Sequence, residues 1–96
     1  MTKQTDGAIA VLKSCIDMLE KKGRDYNSSN INRDDYYLYG RRSLMTMIHT
    51  KYLRLRSLTE SDNSVPNYES VYDTLIDLAN YAAIWADWEK RHNANN

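Results

Sequence analysis

Phenylalanine is absent from this chain of 96 residues, and cysteine and proline occur once each. A single thiol, Cys15, excludes an internal disulfide and points to a reducing compartment. One Pro and three Gly leave few places where the backbone must break. Neither sign of charge is in excess: 13 Lys and Arg balance 13 Asp and Glu. A generic nucleic-acid coat and a polybasic membrane binder are thereby excluded, since both need surplus positive charge. No apolar run approaches the ~20 residues needed to cross a bilayer. The opening MTKQTDGAIAV has neither the long apolar stretch nor the small-residue cleavage site of a secretory signal, so a cytoplasmic protein is expected. Zinc-type Cys/His clusters, Gly-rich phosphate loops and G-x-S-x-G elbows are missing. His49 and His92 have no partner at metal-ligand spacing.

In place of Phe the chain carries eight Tyr and two Trp. These rings combine apolar area with a hydrogen-bonding handle, which suits interfaces and ligand pockets. The apolar fraction, 42%, and the charged fraction, 27%, are those of an ordinary globular protein and argue against wholesale disorder. The length fits one domain over residues 1–96, with 1–6 and 92–96 frayed. A chain this short buries only about 60–65% of its unfolded surface, so the core is thin.

Helical periodicity appears three times and strand-like alternation does not persist, which predicts an all-α three-helix bundle. The first helix is expected over about 7–22. Ile9, Leu12, Ile16 and Leu19 fall at 3-4-3 spacing, with Ala8, Val11, Cys15 and Met18 beside them. Thr5 or Asp6 would cap its start, Lys21 and Lys22 would suit its last turn, and Gly23 would stop it. The polar stretch 24–35 reads as a loop. The second helix is expected over about 35–59, with Leu44, Met47, Ile48, Leu55 and Leu58 on one face. Pro66 then interrupts. The third is expected over about 67–91, with an apolar stripe of Val71, Leu75, Leu78, Ala82 and Trp85. Long Tyr-rich helices on a thin core predict self-association into a homo-oligomer.

Some charged residues do not fit a plain bundle. On a wheel of 100° per residue, Lys51 lies mid-stripe among Leu44, Leu55 and Leu58. A lysine there must snorkel, pair with an acid or face a ligand. Arg54 follows at i+3, so the two cations can hold one phosphate together. On the third helix Glu69, Asp73, Asp77, Asn80 and Asp87 recur along one stripe. That stripe is either a solvated face or a partner for Lys51 and Arg54. Its acids, Asp73 and Asp77 above all, are also the candidates for holding a divalent cation.

The segment MIHTKYLRLRSLTES, the later YESVYDTLIDLANYAAI and the earlier CIDMLEKKGRDYNSS resemble a small, largely phage-borne helical family, the nucleotide modification associated domain. The likeness covers about residues 13–85, and DTLIDLANYA is its most specific part. More distantly the layout resembles the all-α MazG-like NTP pyrophosphohydrolases, which bind Mg²⁺ through E-x-x-E on one helix and E-x-x-D on the next. Here HTKYLRLR stands at the first pair, and Thr74 stands three residues before Asp77 at the second.

The resemblance implies a nucleotide or nucleotide-derived ligand. In this reading Lys51, Arg54 and either Arg24 or Arg41 hold phosphates, rings such as Tyr26 and Tyr81 stack a base, Asp73, Asp77 and Asn80 bond sugar or base edges, and Asp25 is a further ligand-binding residue. The favoured function is a non-catalytic nucleotide binder with no cofactor, a phage protein in the host cytoplasm that sequesters a host immune signalling nucleotide. The alternatives are a Mg²⁺-dependent pyrophosphohydrolase, with Glu69 or Glu20 completing the metal site, and a helical protein-binding adaptor.

Overall fold

A computed structural model describes residues 3–27, 30–60 and 68–93, the side chains of 25–27 and 68 excepted. Pro66, the start of the third helix at Asn67 and the final residues 94–96 lie outside them. Three long helices make an all-α bundle, as the periodicity predicts: α1 Lys3–Asn27, α2 Arg41–Glu60 and α3 Tyr68–Asn93. A short 3-10 turn, Arg33–Tyr36, precedes α2. No helix among the described residues is long and apolar enough to cross a membrane.

The helix ends differ from expectation for local reasons. α1 starts at Lys3, so Thr5 and Asp6 lie inside the helix and not at its cap. Asp6 there complements the positive end of the helix dipole. α1 also runs through Gly23 to Asn27 and carries Arg24, Asp25 and Tyr26 as helical residues. One glycine among good helix formers such as Lys21, Lys22 and Arg24 weakens a helix without ending it. α2 begins six residues later than expected because Gly40 has φ +58°. That left-handed geometry cannot continue a right-handed helix. Tyr39 N donates to Ser43 Oγ at 2.9 Å, which ties the entry turn to the first turn of α2.

The third helix is the hub. α2 packs along it most extensively and α1 less so. The core is accordingly thin: Cys15, Tyr37, Leu44 and Ile76 are its buried apolar residues, with Thr74 and Asn80 buried beside them. Leu44 anchors the α2 face, and Met47, Ile48, Leu55 and Leu58 are half-buried around it, as the stripe predicts. Two stripes need correction. On α1, Leu12 (56% exposed) and Ile16 (54%) face solvent, because the helix meets α3 along its Cys15 side. On α3, Leu75 and Ala82 are exposed, while Thr74, Ile76 and Asn80 are buried. Flanked on two sides, α3 buries a face wider than a single apolar stripe.

Candidate functional site

Asp77 sits where all three helices meet. Lys51 Nζ of α2 lies 3.1 Å from its Oδ2, and Lys22 Nζ of α1 lies 3.3 Å from its Oδ1. The mid-stripe lysine is therefore explained by an acid from the polar stripe of α3: a half-buried charge is tolerated when paired. Burial pushes the Asp77 carboxyl up. The Lys51 hydrogen bond and the charges of Lys22 and Lys51 outweigh it, so the group stays below its ordinary range. Arg54 takes a different partner from the one expected. Its Nε donates to the buried Thr74 Oγ1 at 3.2 Å, and that hydroxyl donates to the Ser70 carbonyl at 2.7 Å.

Beside the Lys22–Asp77 bridge lies a cavity of about 300 Å³. Leu19 and Ile84 give it apolar wall, Tyr37 and Tyr81 give it rings, and Lys22, Arg33, Asp77 and Asn80 give it polar groups. Asn80 is 6% exposed, and among the described residues its Nδ2 has no hydrogen-bond partner. A buried amide donor left unpaired costs about 1–3 kcal/mol. A neighbouring hollow of about 360 Å³ shares Lys22 and Asp77 and is where the exposed Asp73 lies.

The structure thus brings Asp77, Asn80 and Tyr81 to one cavity, with Lys51 joined to it through Asp77. It places Arg41 elsewhere. Arg41 grips Glu89 with two hydrogen bonds, of 2.6 and 2.8 Å, and lines a broad hollow of about 610 Å³ with Tyr39, Arg42, Met45 and Trp85. Arg24 is exposed in the last turn of α1, and the side chains of Asp25 and Tyr26 lie outside the described residues.

Sequence reasoning missed Lys22, Arg33 and Tyr37. Lys22 was legible in principle, since it follows the buried Cys15 by seven residues and so shares its face. Arg33 and Tyr37 sit in an irregular stretch with no periodicity to read.

The acids do not fit a divalent cation. Both Asp77 oxygens face an ammonium, Glu20, Glu69 and Asp73 are exposed, and among the described residues no group of three His, Cys, Asp or Glu side chains gathers.

Cations, a buried amide and two tyrosines thus surround one small, largely apolar cavity in a helical bundle. By sequence, the chain belongs to the family described as nucleotide modification associated domain 1, which matches residues 22–86. That span contains every polar residue of the cavity, from Lys22 to Tyr81. No curated protein and no solved structure matches the chain.

Proposed function

We propose that the protein binds a nucleotide or nucleotide-derived ligand in the Lys22–Asn80 cavity and does not itself transform it. The unpaired amide of Asn80 carries this reading. A polar side chain buried at a structural cost next to an open cavity is what a site awaiting a hydrogen-bond acceptor presents. Lys22 and Arg33 supply positive charge for phosphate, and Tyr37 and Tyr81 supply surface for a base. The family's name adds nucleotide chemistry. The volume, about 300 Å³, lies at the low end of ligand pockets and suits one nucleotide unit. Paired cations around Asp77, in place of grouped carboxylates, favour holding the ligand over metal-assisted hydrolysis. A binder of this kind acts by sequestration, and a phage-encoded chain holding a host immune signalling nucleotide is the role we favour.

The test is a thermal-shift screen of mononucleotides, cyclic oligonucleotides and ADP-ribose derivatives, with and without Mg²⁺. At least one should raise the melting temperature of the wild type. Asn80→Leu should melt no lower than wild type without ligand, and should lose at least about tenfold in affinity, the worth of about 1.4 kcal/mol. A full ligand shift in Asn80→Leu, or no shift with any nucleotide at millimolar concentration, would overturn the proposal.

A further inference from the structure

One row on α1, exposed at Leu12 and Ile16 and half-buried at Ile9, Leu19 and Gly23, has the spacing of a helix-pairing seam. Ile9, Leu12, Ile16, Leu19 and Gly23 follow one another at alternating steps of 3 and 4, the repeat that keeps a seam facing a partner helix. The chain's own α3 takes only the Cys15 side of this helix, and leaves Leu12 and Ile16 more than half exposed. Among the described residues nothing covers them.

Gly23 supplies an independent clue. It lies inside α1 with ordinary helical geometry, and no described atom comes within 4 Å of where a Cβ would stand. Neither backbone conformation nor a described neighbour calls for glycine, which is among the poorest residues for a helix interior. A close-packed second helix would call for it.

The charges beside the seam choose the partner and its direction. Lys13 and Glu20 are exposed, seven residues apart on one flank, and opposite in sign. In a parallel pair this flank would face the opposite flank of the second helix, where Lys13 meets Ala8 and Glu20 meets Cys15, and neither charge finds a partner. In an antiparallel pair centred between Asp17 and Met18, Lys13 of each copy lies beside Glu20 of the other. The same register sets Ile16 against Leu19 of the second copy, and Leu12 against the open surface at Gly23.

We infer that α1 is a homodimerisation helix, pairing antiparallel about a two-fold axis with α1 of a second copy of this chain. The row is self-complementary in apolar spacing and in charge, as a two-fold interface requires.

Sedimentation equilibrium at micromolar concentration tests this. The wild type should be dimeric. Lys13→Glu places like charges together twice and should weaken the dimer about tenfold or more, and Glu20→Lys should do the same. The double variant Lys13→Glu/Glu20→Lys should restore wild-type association. Gly23→Leu should abolish the dimer while helicity by circular dichroism holds or rises, which separates lost pairing from lost folding. A monomeric wild type, unchanged association in Lys13→Glu, or a full-strength Gly23→Leu dimer would overturn the inference. Leu19 borders both the seam and the nucleotide cavity, but Lys13, Glu20 and Gly23 do not line that cavity, so the binding proposal stands or falls on its own test.

Discussion

Asp77 illustrates how one side chain resolves several features of the sequence. Lys51 stands out because an ammonium in an apolar stripe is costly, and that cost makes its pairing legible from helical spacing alone. Asn80 is legible by spacing too, as a member of the polar stripe, but its burial is not. Periodicity places a residue on a face without saying how many neighbours that face meets. By position Lys22 is only a helix-end cation, yet its side chain reaches Asp77 at 3.3 Å. The two lysines make different predictions from the carboxylate they share. Asp77→Asn removes both ion pairs and leaves two ammonium groups together, so it should cost about 1–2 kcal/mol in urea unfolding. Lys51→Met keeps the stem, and Asp77 keeps Lys22, so its cost should be smaller. Equal costs for the two would show that Lys22 contributes nothing.

At the scale of elements, three helices and no strand follow directly from apolar spacing, and the described residues have that order. The helix ends do not follow, because they depend on backbone geometry at single residues. Gly23 looks like a stop and is helical, while Gly40 has the positive φ that delays α2. Gly40 is also tight against α3: a Cβ there would stand 3.0 Å from Trp88 Cζ2. The Trp88 ring is backed by His92, stacked at 3.8 Å, so it has limited freedom to give way. Gly40→Ala should therefore destabilise by about 1–2 kcal/mol from the left-handed backbone alone, with the Trp88 contact adding to it. Thermal melting checks this, and an unchanged or raised midpoint would mean that the turn relaxes freely.

Across the whole molecule, electrostatic ties hold a thin core together. The radius of gyration, 15.6 Å, exceeds the ~13 Å of a compact domain of about 100 residues. Three acids join distant segments. Asp34 accepts two hydrogen bonds from Arg91, Asp77 takes the two lysines, and Glu89 takes Arg41 and the Trp85 indole. The Arg91 hydrogen bonds hold Asp34 below its ordinary value, and the Arg41 and Trp85 hydrogen bonds bring Glu89 from 4.5 to about 2. Groups with depressed folded-state values favour folding above their unfolded values, and that contribution is lost as pH falls through the folded ones. Melting temperature should thus vary little from pH 8 to about 5 and drop between about 4 and 2. Glu89→Gln should melt lower at pH 7 and lose less on acidification. A parallel acid profile in Glu89→Gln would remove that pair from the explanation.

The binding proposal rests on one unpaired amide, and the side-chain NH₂ resonances of Asn80 report on it directly. In a ¹⁵N–¹H titration of the wild-type protein with the nucleotide that gives the largest thermal shift, those two resonances should move and saturate together with calorimetric binding. Saturable binding that leaves them in place, with the perturbed resonances confined to the Tyr39–Arg42–Trp85 hollow, would contradict the assignment of the site.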